Sequence, residues 1–360
     1  MKILMLVNWK VKKSNEIPKD IQAPDYIVPN YKYWFFRYFE EDDIQIDVID
    51  ISSCEFLENI EKKYLHFYIV QTIKAIKRMK KYDLVISHGM PSGILLALYR
   101  KIFKTKVKHV VFDIGAFNSA KEKGKILKLN QFASKSIDGI IYHESLQIKY
   151  YEKYFPWLVR KSVFIPFGTD IEYLKNDKKD TNVGQVNSEK IVLSIGYNMR
   201  DNATLIEAFK NVKITNLKLR IIGSSKEKHS DGNIEYWPPI SKRELNNQIQ
   251  NAFFCILPLE YRNYSFGQMT LLQQMYYEKI IITADVPSIL DYVENNKTAI
   301  LYKNGNSEDL RKKIEYVYNN YNEMIKIGIE AKKSIITKYN EEIMAKKIEI
   351  FLKEVENGNT

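Results

Sequence analysis

IVLSIGYNMRDNATLIEAFK, residues 191–210, is the stretch on which the fold is read. Ile191–Ile195 is a short apolar run rich in branched side chains, the mark of a strand buried on both faces. Gly196 ends it, and a residue without a Cβ lets a ligand approach the backbone there. A polar loop then brings Arg200, a planar cation that can fork onto an anionic group. From Ala203 to Lys210 the spacing is helical. Strand, glycine loop and helix together form the repeating unit of doubly wound α/β sheets.

The same alternation extends in both directions. Downstream, strands are predicted at Leu217–Ile222, Phe253–Leu257 and Ile280–Thr283, with a turn at Gly223–Ser225. Helices are predicted at Ser241–Asn251 and Gln268–Tyr277, the first opened by Ser241 with Glu244 three residues on, as in a capping box. Upstream, Val163–Asp170 leads into the polar stretch Lys175–Lys190, which reads as a linker or solvated loop. Before it, strands at Lys2–Asn8, Ile44–Ile51, Asp83–Ser87, Val107–Asp113 and Gly139–Tyr142 alternate with helical spacing at Tyr31–Glu41, Tyr64–Lys81 and Ser92–Phe103. The aromatic run Tyr33–Phe39 reads as core packing. The pattern predicts an α/β chain of two Rossmann-like doubly wound domains facing a cleft, with no sequence repeat between them. Their expected extents are residues 1–165 and 166–340, with a C-terminal helix, 341–360, packing back on the first domain.

The chain has 360 residues, 45% of them apolar and 28% charged, enough for an ordinary core and incompatible with disorder or low complexity. The formal charge is +11, unevenly placed. Residues 1–165 hold 28 basic and 18 acidic side chains, net +10, and residues 166–360 hold 27 and 26, net +1. Two halves with different electrostatics imply different ligands. Lys74, Lys77, Arg78, Lys80, Lys81, Arg100, Lys101, Lys104, Lys106 and Lys108 contribute to the excess. They suit solvated helix faces, an anionic membrane surface or an anionic glycan. Nucleic acid is not expected, because no stacking-aromatic pattern accompanies the charge. Cys54 and Cys255 exclude a disulfide scaffold and a cysteine zinc site, and Cys255 reads as a buried inert thiol. No segment has the length of a signal peptide's apolar core or of a membrane span, so a cytoplasmic setting is expected.

Two clusters could carry chemistry. The first is Gly196 with Arg200. The second is the polar loop after Leu257, which runs through Arg262, Ser265 and Gly267 into the helix beginning at Gln268. Free N–H groups at a helix start form an anion site, and Ser265 also suits an N-cap. In the first half, His88 and Asp113 both follow predicted strands and would point at the crevice. His66, His109, His143 and His229 show no metal-like grouping and read as structural.

These residues resemble a family. The second half looks like the donor domain of GT-B glycosyltransferases, specifically glycosyltransferase family 4, the retaining group that uses nucleotide sugars. The likeness lies in four ordered segments: IPFGTDIEYL, SIGYNMRDNATLIEAF, LRIIGS and YSFGQMTLLQQMYYEKIIITADVPSILDYV. A weaker likeness, YDLVISHG and IDGIIYHES, extends it to most of the chain. The resemblance implies that Arg200 contacts the donor's phosphates, with Arg262 as a second cation, and that Gly196 opens that loop. It implies that the backbone near Pro239 and Ile240 holds the base, and that the amides of Gly267 and Gln268 meet the diphosphate and sugar. Ser265 and Gln273 stand where the family places two glutamates. Gln273 keeps an acceptor oxygen for the donor ribose but loses the charge. Tyr197 replaces a basic residue, and Glu278 replaces a glycine before Lys279. His88, Asp113 and Arg200 are the catalytic candidates, Asp113 standing near the place of a family histidine.

The implied activity is transfer of a sugar from a nucleotide-diphosphate donor to a glycolipid or polysaccharide acceptor. Retention of configuration is implied, with no metal and no cofactor beyond the donor. No Asp-X-Asp triplet occurs in the chain, in keeping with a metal-independent site. A sugar-nucleotide epimerase of the same fold and a catalytically silent nucleotide- or sugar-binding subunit are the alternatives. Donor base, sugar, acceptor, linkage and oligomeric state are not encoded in any of these motifs.

Overall fold

A computed structural model of the chain describes residues 1–18, 21–53, 55–61, 63, 67–115, 117, 123–176, 189–196 and 198–358. Cys54, His66, Tyr197 and positions 177–188 of the expected linker lie outside the described residues. The chain divides into two compact units. The first comprises Met1–Pro166, Asn263–Ser265 and Glu342–Thr360, and the second Phe167–Arg262 and Phe266–Glu341.

In the first unit the strands are β1 (Lys2–Leu6), β2 (Lys12–Lys13), β3 (Tyr26–Ile27), β4 (Gln45–Ile49), β5 (Leu84–His88), β6 (Lys108–Asp113), β7 (Gly139–Tyr142) and β8 (Ser162–Phe164). The helices are α1 (Glu55–Ile60), α2 (Ile69–Arg78), α3 (Met90–Phe103), α4 (Lys125–Ser134) and α5 (Ile148–Tyr154). Six strands form a wholly parallel sheet in the order β4-β1-β5-β6-β7-β8. Parallel strands need covering on both faces, which is why KILML and LVISH read as near-continuous apolar runs. Alternation along β7 sorts the two faces. Ile140 and Tyr142 pack with Ile94 and Ala97 of α3 and with Leu127 and Ala133 of α4. Gly139 points the other way, where an added Cβ would stand 2.9 Å from Val355 and 3.0 Å from Phe351. Those two residues belong to the C-terminal helix, whose Glu349 also accepts the backbone N–H groups of Glu40 at 2.9 Å and Glu41 at 3.2 Å.

The aromatic run is buried at Tyr33, Trp34, Phe35, Phe36 and Phe39. It forms a 3-10 turn at Trp34–Tyr38, shorter than the helical spacing of Tyr31–Glu41 predicts. Trp34 has φ +48°, in the left-handed region, which stops a helix from propagating through it.

The second unit continues with α6 (Ile171–Asn176), β9 (Lys190–Ile195), α7 (Asn202–Lys210), β10 (Leu217–Ile222), β11 (His229–Asp231), β12 (Ile234–Trp237), α8 (Lys242–Asn251) and β13 (Phe254–Leu257). It closes with α9 (Gln268–Tyr276), β14 (Ile281–Ala284), α10 (Pro287–Leu290), β15 (Ile300–Tyr302), α11 (Ser307–Asn319), α12 (Tyr321–Thr337) and the start of α13 (Glu341–Glu356). Its sheet runs β11-β12-β10-β9-β13-β14-β15, parallel except for β11. Ser241 accepts the N–H of Glu244 at 3.2 Å, one half of the expected capping box. Glu244 does not complete it, because its Oε1 accepts from Gln248 at 2.7 Å.

Candidate active site

Strands β9 and β13 are neighbours that the chain leaves in opposite directions, through α7 to β10 and β12 on one side and through α9 to β14 on the other. Loops diverge at such a reversal, and open α/β sheets bind ligands at the carboxyl ends of the strands there. Gly196 ends β9 with φ +97° and donates its N–H to Ile222 O at 2.9 Å. The following loop is tied to the β13 side. Asp201 N donates to Pro258 O at 2.8 Å, and Glu260 N to Met199 O at 3.2 Å. Asp201 also caps α7 by accepting Thr204 N at 3.1 Å.

Arg200 lies between these loops. Its Nε donates to Ile195 O at 3.0 Å, Nη1 to Asn198 O at 3.2 Å and Nη2 to Thr270 Oγ1 at 3.3 Å. All three acceptors are neutral. Burial pulls the pKa down to about 10, and no carboxylate contributes to that shift. The group therefore stays cationic at neutral pH without a counter-charge among the described residues. Thr270 is the third residue of α9, so the guanidinium stands beside that helix's first turn. Gly267, the N-cap of α9, has φ +82° and supplies no side-chain cap. A Cβ there would meet Leu259 side-chain atoms at 3.0 Å. An uncapped N-terminus carries roughly half a positive charge, and the guanidinium adds a full one. Two positive sources at one point make a site for an anion.

The remaining expected positions divide by their contacts. Gln268 is buried with Nε2 on Ser288 O at 2.6 Å, which leaves its backbone as the group available at the helix start. One turn beyond Thr270, Gln273 donates Nε2 to Asn246 Oδ1 of α8. Asn246 is fully buried, and its Nδ2 has no partner. Arg262 is exposed and paired with Glu260 at 2.7 Å, so its charge is already balanced. Pro239 and Ile240 follow β12 at its carboxyl end, Pro239 exposed and Ile240 half-buried. Ser265 is half-buried and falls in the segment grouped with the first unit. In that segment the Tyr264 ring occupies the space a Gly115 Cβ would need. Glu278, where the family resemblance would place glycine, has φ +56° and pairs with Lys332 at 2.7 Å. Thr270 and Asn246 are the positions that motif reading did not single out. Thr270 precedes Gln273 by three residues on one helix face, a signal available from spacing.

In the first unit the strand order reverses between β1 and β5. His88 ends β5 there, with Trp9 at 4.8 Å, Trp34 at 5.5 Å and Phe112 at 5.7 Å between ring centroids. Its Nδ1 is buried without a partner, and desolvation followed by the nearby His143 pushes its pKa down to about 3. Asp113 is fully buried. It accepts from Gln147 Nε2 at 2.6 Å, Tyr151 OH at 2.5 Å, Gly115 N at 3.2 Å and Phe117 N at 3.4 Å. Its carboxylate thus fixes the loop after β6, and burial together with this carboxylate raises the Tyr151 pKa well above its ordinary value. His109 shares a hydrogen bond with Ser87 Oγ at 2.9 Å, His143 with Ile165 O at 2.6 Å, and His229 stacks on Tyr236. Burial pushes the Cys255 thiol up to about 12, which leaves it inert. Among the described residues no cluster of three or more His, Cys, Asp or Glu could hold a metal ion, and no helix is long and apolar enough to cross a membrane.

The fold is that of an α/β enzyme, and this junction is a candidate anion site at the switch point of its second sheet. Residues 176–334 match the family described as "Glycosyl transferases group 1". A search of curated protein sequences gave no match. Among solved structures, sucrose-phosphate synthase from Thermosynechococcus elongatus is similar at a TM-score of 0.69 and 15% identity, covering 99% of each chain. HepE from Anabaena in complex with UDP gives 0.68 at 14% identity, over 98% of this chain and 100% of that one. A glycosyltransferase from Rickettsia africae gives 0.68 at 15% identity, over 98% of each. These likenesses establish the fold, two Rossmann-like units of the GT-B type.

Proposed function

We propose that the chain transfers a sugar, with retention of configuration, from a nucleoside diphosphate donor to a glycolipid or polysaccharide acceptor at the cytoplasmic face of a membrane. The observation that carries this reading is the unbalanced guanidinium of Arg200 at the uncapped start of α9. As the glycosidic bond breaks, negative charge grows on the β-phosphate. A cation and helix amides fixed at that point stabilise the transition state without reorganising. Arg200 holds the phosphates, and the backbone at Gly267 and Gln268 completes the cradle. Gln273 Oε1 faces the ribose, and the segment at Pro239–Ile240 borders the base. The departing phosphate serves as the base for the acceptor hydroxyl on the same face, so the reaction needs no carboxylate nucleophile and no cofactor beyond the donor. His88 and Asp113 shape the acceptor side, His88 as a neutral ring and Asp113 by holding its loop. UDP in HepE supports the choice of a nucleoside diphosphate.

The test is calorimetry with UDP, GDP and ADP and their nucleosides, followed by a transfer and hydrolysis screen with the matching nucleotide sugars. Arg200→Ala is expected to weaken binding of the preferred diphosphate roughly 10- to 100-fold, the worth of a charge-assisted hydrogen bond, and to leave the nucleoside unchanged. Equal losses for both ligands reject the phosphate assignment. Isomerised donor without transfer would mark an epimerase, and binding without turnover a silent subunit.

A further inference from the structure

Helices α2, α3 and α4 lie side by side over one face of the first sheet, α2 against α3 and α3 against α4. Ser136 ties the last pair together, donating to Ala97 O at 2.6 Å. None of the three helices contains an aspartate or a glutamate. Helix stability does not ask for that. Acidic residues near helix starts and acid–base pairs one turn apart are both favourable. The same chain uses both elsewhere. Glu308 and Asp309 open α11, and Arg311–Glu315, Lys346–Glu342 and Lys353–Glu349 are i,i+4 pairs on α11 and α13. On α2, α3 and α4 the basic residues, Lys77, Lys101, Lys125 and Lys128 among them, have no carboxylate on their own helices to balance them.

The exposed side of this layer is also apolar. Ile73 is 47% exposed, Phe103 64%, Ile126 64% and Phe132 49%. On α4 the division is plain. Leu127, Asn130, Ala133 and Ser134 face the core, while Ile126, Leu129 and Phe132, at three-residue spacing, share the solvent side with Lys125 and Lys128. Helix α12 also exposes isoleucines, Ile325, Ile329 and Ile336, but it carries Glu323 and Glu330; apolar side chains among lysines with no carboxylate on the helix set α2, α3 and α4 apart. A nucleic acid would neutralise the lysines but offer nothing to the isoleucines and phenylalanines.

We propose that the exposed side of the α2–α3–α4 layer is a docking surface for an anionic lipid bilayer. The apolar side chains enter the boundary between headgroups and acyl chains, and the lysines lie at the level of the lipid phosphates, as on interfacial amphipathic helices. This deepens the membrane-face reading above, on which it rests, by naming the surface and the lipid charge it requires.

The experiment is flotation of the full chain with phosphatidylglycerol–phosphatidylcholine vesicles and with phosphatidylcholine alone, over a salt series. The chain is expected to float with the anionic vesicles, less so as salt rises, and not with the neutral ones. Lys125→Glu/Lys128→Glu lowers partition by at least roughly fivefold per residue changed. Phe103→Ser/Phe132→Ser lowers it as well, without lowering the thermal midpoint. Failure to float at low salt overturns the proposal, as does flotation that neither double variant reduces. Self-association abolished by these variants, without flotation, would make the face an interface between copies and also overturns it. UDP binding, measured on the same samples, keeps the two readings apart. Flotation without nucleotide binding removes the transferase reading alone, and nucleotide binding without flotation removes the docking surface alone.

Discussion

The guanidinium of Arg200 rests against the Cα of Gly196, so that a Cβ at position 196 would stand 3.1 Å from Nη2 and 3.2 Å from Nε. Gly196 therefore has two duties: it takes up φ +97° and leaves room for the cation. The candidate anion site depends on a missing methyl group as much as on a charge.

Gly196→Ala should accordingly impair nucleotide binding while leaving the fold intact. The left-handed backbone costs a residue with a Cβ about 1–2 kcal/mol, and Arg200 must shift to avoid the methyl. UDP affinity is expected to fall about tenfold by calorimetry, with little change in uridine affinity. An alanine variant that binds UDP as tightly as the parent removes the packing argument.

Gln273→Glu tests the ribose position. A carboxylate there would face Asn246 Oδ1, an unfavourable pairing, unless the Asn246 amide turns over. Its Nδ2 is buried without a partner, so turning over gains a hydrogen bond. The variant should fold normally and bind UDP as tightly as the parent or more tightly. A tenfold loss in calorimetry, with the thermal midpoint unchanged, rejects the assignment.

Stability should fall as the solution is acidified from neutrality, and histidines should account for part of the fall. Burial lowers His88 from 6.5 to about 3 and His143 from 6.5 to about 4. Below their ordinary value the unfolded chain takes up protons at these residues and the folded chain does not, so each favours unfolding by about 1.4 kcal/mol per pH unit. The loss levels off below about 4 for His143 and about 3 for His88. Between pH 7 and pH 5, His88→Phe should lose about 2 kcal/mol less than the parent in urea unfolding. Parallel pH profiles for the two proteins contradict this.

Glu278→Gly should stabilise the protein. Glu278 holds φ +56°, a conformation glycine adopts without strain, and its ion pair with Lys332 is exposed on both sides. Relief of about 1–2 kcal/mol of backbone strain outweighs an exposed pair worth about 0–1 kcal/mol. Urea midpoints decide it, and a lower midpoint for glycine shows that the pair outweighs the strain.

Most of the strands and the switch-point loop of the second sheet were legible because their physics is local. KILML, LVISH and IVLSI are buried on both faces, so each strand is a run of apolar residues that needs no partner to be recognised. Gly196, Arg200 and Gly267 sit at strand and helix ends for reasons of backbone conformation and charge that travel with the sequence. The elements that escaped are set by distant partners or by mixed faces. In α4 the apolar residues are divided between core and solvent, which hides the helical period. The β11–β12 hairpin turns at Asp231–Gly232 within exposed polar residues. Asp113 looks like a reactive group after a strand, and only Gln147 and Tyr151, more than thirty residues on, show that its oxygens are occupied. Gln273 and Asn246 meet across 27 residues with nothing in either neighbourhood to announce it.

The placement of α13 bears on how the molecule is made. A ribosome releases Gly139 and the strand around it long before Phe351 and Val355, which cover that strand, have been synthesised. Every residue of the second unit emerges in the interval. One face of the first sheet must therefore wait, uncovered at Gly139, while the later unit has its whole sequence available to fold. Translation thus reverses the order of the units: the one begun first is the one completed last.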